Sequence, residues 1–330
     1  MAVITRLFDI NEKVLNLREN STDELLSTGF KTLDNYYMVK PSGTTIIYGY
    51  PKMGKTEFLF QLLISLSLNY RKKHLIYSPE SGSAEEIYAA IIHGLTGKTF
   101  DKRYTSNYIT EAEYYRVQPF VQEHFIVAED TDEQGLNFDE YIKLVKTCKK
   151  EYGIHTSTID NWNDIEHENY TNVSDYLKRK LPKWNKLALT QKIHSFLICH
   201  AKNPIGLKNG ELPKAPTPYE IDGGAAWLQK AYNMICINRD YVETNNGMQL
   251  GNEVDVILQK IKPRIVGKTG VCKLDYDWIR KCYNETYDGQ IYHIESPFKE
   301  KYKAPDIKPK QQPIQSSIDL SEPFDSEAPF

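Results

Sequence analysis

The chain has no apolar run long enough to cross a bilayer. Its most apolar stretch, Phe58 to Leu68, spans about eleven residues and is interrupted by Gln61, Ser65 and Ser67, whereas a spanning helix needs roughly 20. The N-terminus, Met1 to Ile10, carries Arg6 and Asp9 and lacks the apolar centre of a secretory signal. Cysteine is scarce as well: Cys148, Cys199, Cys236, Cys272 and Cys282 form an odd set without a C-x-x-C spacing, which argues against a disulfide framework or a zinc site. Nor is there an excess of either charge. Lys and Arg number 41 against 44 Asp and Glu, a net charge of −3, which excludes a general polybasic nucleic-acid binder but not a local basic surface. No internal repeat is visible. These absences lead us to expect a reduced, cytoplasmic protein with no membrane partner.

What is present is the composition of an ordinary globular protein, 330 residues with 40% hydrophobic and 12% aromatic side chains. That length exceeds one small core and suggests one large α/β domain, or a domain with appendages. Short apolar runs alternate with longer mixed segments. The runs predict strands at Thr44 to Tyr48, His74 to Ser78, Phe125 to Ala128, Thr156 to Asp160, Ser195 to Cys199, Met234 to Asn238, Val254 to Lys260 and Val271 to Tyr276. The segments between predict helices at Thr56 to Tyr70, Ala84 to Leu95, Glu111 to Glu123, Phe138 to Tyr152 and Val173 to Thr190. A β-α-β-α order of this kind predicts a mostly parallel, twisted sheet flanked by helices.

Both ends depart from the pattern. Leu7, Ile10, Val14 and Leu17 recur at helical spacing, and such a helix either packs on its own domain or docks on a neighbouring subunit. Residues 304–330 hold five prolines with several Ser and Gln, a composition that predicts a disordered tail. The expected division is therefore a docking segment at residues 1–26, the main α/β domain at 27–300 and an acidic tail at 301–330.

The phosphate-binding signal is Gly49, Tyr50, Pro51, Lys52, Met53, Gly54, Lys55 and Thr56, which satisfies G-x-x-x-x-G-K-[ST] between a predicted strand and a predicted helix, with Glu57 next. Backbone N–H groups and the helix N-terminus would face the phosphates of ATP. Lys55 would reach the β- and γ-phosphates, and the Thr56 hydroxyl would ligate Mg²⁺. Hydrolysis further needs an acid on the metal's water shell, a base for the attacking water and a group on the γ-phosphate. Asp160, Glu80 and His200 fill these roles at the ends of predicted strands, where ligand sites of parallel sheets lie. His200 reads almost as well as a satisfied residue after a strand.

Taken together, Ser27-Thr-Gly-Phe-Lys-Thr-Leu-Asp34, the phosphate loop, Tyr77-Ser-Pro-Glu-Ser81, Ile159-Asp-Asn-Trp-Asn-Asp-Ile-Glu-His167, Ile198-Cys-His-Ala-Lys-Asn-Pro204, Pro216 to Gly224, Ile237-Asn-Arg-Asp240 and Leu258-Gln-Lys-Ile-Lys262 resemble the RecA-type motor of DnaB-family replicative helicases. The nearest branch is the Twinkle-like helicases of phages and bacteria. The resemblance implies a homo-hexameric ring with ATP between subunits, single-stranded DNA in the channel, and a basic finger supplied in trans. The family's Lys-x-Arg finger pair falls on Lys260 and Lys262, so Lys stands where Arg is usual, and Arg264 offers an alternative. Asn161 stands where the family usually has proline. The chain resembles a motor standing alone, without a primase segment.

DNA contacts are expected from Lys202, Lys208, Asn209 and Lys214 after the fifth predicted strand, a loop that reads otherwise as solvated surface. Trp162, Asn163 and His167 are expected nearby. Asp319 to Phe330 carries four acids, no base and a terminal Pro-Phe. It is similar to the acidic tails of bacterial single-stranded-DNA-binding proteins and suits docking of replication partners. Other readings are a RecA- or RadA-like recombinase and a nucleotide-binding accessory subunit with weak turnover.

Overall fold

The run Thr44–Gly49 forms the central strand, β1, and all six of its residues are buried, as a strand covered on both faces must be. The computed structural model describes residues 4–130, 135–167, 170–202, 213–244 and 247–299. Parallel to β1 run β2 (His74–Tyr77), β3 (Phe125–Ala128), β4 (Thr156–Ile159), β5 (His194–His200) and β6 (Asn233–Thr244). From β6 the sheet continues as an antiparallel meander through β7 (Gly247–Lys260), β8 (Gly270–Asp277), β9 (Cys282–Tyr287) and β10 (Gln290–His293). The order across the sheet is β10-β9-β8-β7-β6-β1-β5-β4-β2-β3.

Eight helices accompany these strands among the described residues: α1 (Leu7–Asn20), α2 (Lys31–Asp34), α3 (Lys55–Tyr70), α4 (Ala84–Thr96), α5 (Glu111–His124), α6 (Phe138–Tyr152), α7 (Val173–Gln191) and α8 (Gly224–Lys230). Alternate residues of each strand face opposite layers. Ile47 and Ile76 join Phe58, Leu62 and Ile91 in a core under α3 and α4. Ile46, Tyr48, Leu75 and Tyr77 join Tyr141, Trp184 and Trp227 in a second core under α6, α7 and α8.

The five helices and eight strands expected from periodicity all form. The sequence pattern missed the change to an antiparallel meander, together with β9, β10, α2 and α8. β9 was hidden because Asn284 and Glu285 interrupt its apolar pattern and are nevertheless buried. Glu285 has a partner there, since its carboxylate accepts the backbone N–H groups of Lys31 and Thr32, both at 2.8 Å. A buried anion at the start of α2 satisfies two orphan donors of that turn. Asp34 closes the same segment by accepting from the backbone N–H and the hydroxyl of Thr28, each at 2.7 Å.

α1 forms where expected but contains no buried residue. Leu7, Phe8, Val14, Leu15 and Leu17 are all exposed, so packing against the chain's own domain is not observed. The five cysteines are free and buried, and no helix among the described residues is long and apolar enough to cross a membrane. The whole acidic tail, residues 301–330, lies outside the described residues.

His74 and His194 are buried with both ring nitrogens bonded. His74 meets Thr156 Oγ1 at 2.7 Å and Ser67 Oγ at 2.9 Å, while His194 Nδ1 donates to Lys40 O at 2.7 Å and Nε2 faces Thr45 Oγ1 at 2.9 Å. Burial pushes both imidazoles down, His74 to about 3 and His194 to about 4. The unfolded chain binds protons at both positions below about pH 6.5, and the folded chain does not until the pH nears those lower values. Their contribution is complete above pH 6.5 and is lost as the pH falls, at on the order of 1.4 kcal/mol per pH unit for each histidine. Denaturant melts at pH 7.5 and 5.0 should show a loss of roughly 4 kcal/mol from the pair, and His74→Gln should remove about half of that difference. An unchanged pH difference in His74→Gln would refute this account.

Candidate functional site

The phosphate loop occupies the turn from β1 into α3. Two glycines shape it. Gly54 has φ of 93°, a left-handed conformation that costs glycine little, and a Cβ there would come within 3.0 Å of the Tyr283 hydroxyl. A Cβ on Gly49 would come within 2.4 Å of Ile237 O on the neighbouring β6. The loop is therefore pressed against the sheet, and Tyr283 fixes its far end by donating to Gly54 O at 3.0 Å.

Lys55 opens α3 with its ammonium buried. The Nζ donates to Tyr50 O at 2.9 Å and to His200 Nδ1 at 3.2 Å. Burial lowers its pKa, an effect opposed by the charges of Glu80 and Asp160. His200 ends β5, beside β1, with Gly49 as its register partner. Its other nitrogen, Nε2, donates to Glu80 Oε2 at 3.0 Å and Oε1 at 3.2 Å. Lys55, His200 and Glu80 thus form one hydrogen-bonded chain, with the imidazole protonated on Nε2 and accepting on Nδ1.

Two carboxylates lie beside this chain in opposite environments. Asp160 follows β4 and is fully buried. Its Oδ2 accepts from the Thr56 hydroxyl at 2.8 Å and the Ser78 hydroxyl at 3.1 Å, whereas Oδ1 is buried with no partner among the described residues. Burial raises its carboxyl to about 7, with the Glu80 charge adding and the two hydroxyls opposing. Glu80 lies in the short turn Pro79–Ser81 and is half-exposed. Burial pushes its pKa up, but donors from His200 and Asn161 and the Lys55 charge outweigh this and hold it below the ordinary carboxylate range. A groove of about 380 Å³ lined by Thr56, Glu57, Gln61 and Ser81 opens onto Glu80. Gln61 is 2% exposed, and neither polar atom of its carboxamide has a partner among the described residues.

The structure therefore brings together Gly49 to Glu57, Glu80, Asp160 and His200, as expected from the sequence. Other expected residues lie elsewhere. Lys260 pairs with Met234 near the start of β6, while the phosphate loop sits beside Ile237, so Lys260 is at the opposite end of the sheet from the site, by roughly three residues of strand, or about 10 Å. Its ammonium donates to Leu228 O of α8. Lys262 and Arg264 follow it and are exposed, and they are not brought to their own chain's phosphate loop. Lys202 is not a free cation, because it pairs with Asp222 at 2.8 Å. Lys214 is exposed, and Lys208 and Asn209 lie outside the described residues.

Trp162 was expected beside the DNA loop and is instead a core residue, 6% exposed. It packs against Phe138 at 5.4 Å, Trp227 at 5.5 Å and His167 at 4.8 Å between ring centroids. His167 is similarly occupied, bonded to Tyr176 Oη and Trp162 O. Four further residues shape the site without having been expected to: Ser78, Asn161, Arg239 and Tyr283. Arg239 lies 5.8 Å over the Tyr276 ring, and Tyr276 packs on Tyr283 at 4.9 Å, so a cation and two aromatics support the phosphate loop from β6, β8 and β9. Ser78, Asn161 and Arg239 sit inside the segments Tyr77 to Ser81, Ile159 to His167 and Ile237 to Asp240, which could have pointed to them. Tyr283 belongs to no such segment and had no sequence signal.

No family model matches the chain. Over 265 residues it is 23% identical to the Twinkle homolog protein, chloroplastic/mitochondrial, of Arabidopsis thaliana, a match covering 79% of this chain and 36% of that one. The chain thus spans about a third of the length of that curated relative. Its structure superposes on a solved ATPase domain with a TM-score of 0.64 at 17% identity, covering 83% of this chain and 97% of that one. It superposes on a DnaB-like replicative helicase, solved in a study of its interactions with primase, with a TM-score of 0.63 at 17% identity, covering 85% and 67%. Both matches cover more than four-fifths of this chain, so it shares the RecA-like α/β fold of those structures.

Proposed function

We propose that the chain is the ATP-hydrolysing motor of a ring-forming DNA helicase that moves along single-stranded DNA during replication. The observation that carries this reading is the meeting of buried Lys55, the Thr56–Asp160 pair and the Glu80–His200 pair at one end of parallel strands. That constellation supplies each group needed for phosphoryl transfer to water, in a fold shared with helicase ATPase domains.

The loop N–H groups and Lys55 receive the phosphates of ATP. An incoming γ-phosphate replaces Tyr50 O and His200 as the acceptor for Lys55, because a charged oxygen outcompetes a carbonyl or a neutral imidazole for a buried ammonium. His200, released from Lys55, turns its donor to the γ-phosphate. Glu80 then accepts a proton of the attacking water as its oxygen bonds to phosphorus, and the bond to the ADP oxygen breaks in line. The Thr56 hydroxyl would hold Mg²⁺ directly and Asp160 through water, its unpartnered Oδ1 fitting that contact. When bound, Mg²⁺ supplies neutralising charge on the β- and γ-phosphate oxygens. Among the described residues no cluster of three or more His, Cys, Asp or Glu could hold a metal alone, which suits an ion bound largely through phosphates and water.

A ring accounts for features that the isolated chain leaves unused. Lys262 or Arg264, distant from their own phosphate loop, would act on a neighbour's γ-phosphate, with Lys260 anchoring the turn. The exposed apolar side chains of α1 would be covered by a second copy, giving a homo-hexamer. The loop after β5, with Lys202, Lys208, Asn209 and Lys214, would line the channel, Lys202 exchanging Asp222 for a DNA phosphate. The acidic segment Asp319 to Phe330 would take up replication partners, and the protein would work in the cytoplasm.

ATPase assays should show turnover raised by single-stranded DNA in the wild-type chain and reduced at least about a hundredfold in Lys55→Ala. Turnover that ignores both changes would refute the motor reading. Mixing Glu80→Gln chains with Lys262→Ala chains should restore activity at about a quarter of the sites, those that join an intact base to a neighbour's intact finger. If Arg264→Ala complements and Lys262→Ala does not, Arg264 is the finger; no complementation by either would exclude a site shared between chains.

A further inference from the structure

Glu80 is half-exposed and stands on a short turn, yet its carboxylate is held by two donors. One is His200, which the mechanism removes when the γ-phosphate arrives. The other is Asn161, which is 2% exposed and whose Nδ2 donates to Glu80 Oε2. The same amide group donates to Asp164 Oδ2 at 3.1 Å, and its oxygen accepts from Asn163 N at 2.7 Å. Asn161 is thus fixed by the turn it caps, and its N–H groups bridge two carboxylates that would otherwise repel.

We infer that Asn161 is a positioning residue for hydrolysis, holding Oε2 of Glu80 so that Oε1 faces the attacking water once His200 has turned away. The inference rests on the ATPase reading above. A glutamate side chain has three rotatable bonds, and without a second contact the departure of His200 would leave it free among rotamers. With Oε2 held, Oε1 stays within hydrogen-bond reach of a water, the first requirement for a general base. Small displacements of such a group cost one to two orders of magnitude in rate. The two ends of the asparagine do different work, which makes them separable. The oxygen caps the turn Trp162–Asp164, and the nitrogen holds Glu80.

Asn161→Asp keeps the shape and the acceptor for Asn163 N–H but loses both donors. Steady-state ATPase of the full chain should show kcat reduced at least about tenfold with KM for ATP within about twofold of wild type. In a Glu80→Gln background the same change should have no further effect, because its target is already gone. Asn161→Ala, which removes the donor without adding charge, should lower kcat in the same direction and serves as the test if the aspartate variant does not fold. Wild-type kcat in Asn161→Asp, or an equal further loss in the Glu80→Gln background, would overturn the positioning role while leaving the ATPase reading intact. A wild-type chain that does not hydrolyse ATP would overturn both.

Discussion

An ammonium group buried at the end of a sheet must find acceptors, and among the described residues Lys55 donates to two, Tyr50 O and His200 Nδ1. Much of the site follows from that constraint. Desolvating a cation is costly unless it is hydrogen-bonded, so the phosphate loop must turn Tyr50 O inward and β5 must end with an acceptor. His200 can accept on Nδ1 only by carrying its proton on Nε2, which then needs an acceptor of its own and finds Glu80. The parallel sheet makes this chain possible, since β1 and β5 are in register from Thr44 and Ser195 to Gly49 and His200. Any ligand that offers Lys55 a stronger acceptor disturbs every bond in the series.

The parts of this arrangement that were legible in the sequence are those carried by local pattern. The phosphate loop has a fixed spacing, and Asp160, Glu80 and His200 follow short runs that read as strands of a parallel sheet. What stayed illegible depends on partners far away in sequence. β9 contains Asn284 and Glu285, polar residues that argue against a buried strand until Lys31 and Thr32 are seen to donate to the carboxylate. Trp162 follows Asp160 closely in sequence and was expected near DNA, but Phe138, Trp227 and His167 surround it. Lys202 looked like a free cation because its partner, Asp222, is remote in sequence. Spacing also says nothing about which end of the sheet a residue occupies, and the antiparallel return of β7 carries Lys260 and Lys262 away from the phosphate loop of their own chain.

In the proposed ring, the same return would leave the site of each chain incomplete. Lys262 and Arg264 are exposed after β7, and α1 has no buried residue, so neither feature is used in packing within one copy. A helix of 14 residues is marginal in water without tertiary packing, and apolar side chains at Leu7, Phe8, Val14, Leu15 and Leu17 favour being covered. In the proposed ring, a neighbour covering the helix and receiving the finger would use both.

Two acids beside one phosphate loop would compete for the same role if their surroundings were alike. They are not alike. Asp160 is dry, with one oxygen satisfied by two hydroxyls and the other by nothing among the described residues, and burial raises its carboxyl to about 7. Glu80 is half in water and held by His200 and Asn161, and its carboxyl falls below the ordinary range. A buried carboxylate with an orphan oxygen is stabilised most by a nearby cation, which suits Asp160 to the metal side of the proposed reaction. A hydrated carboxylate that stays ionised, can give up one of its donors and keeps a second is suited to take a proton from water. Environments that push two neighbouring acids in opposite directions are how one site divides such labour. Here the division is set by burial on one side, only partly offset by the Thr56 and Ser78 hydroxyls, and by the donors His200 and Asn161 on the other.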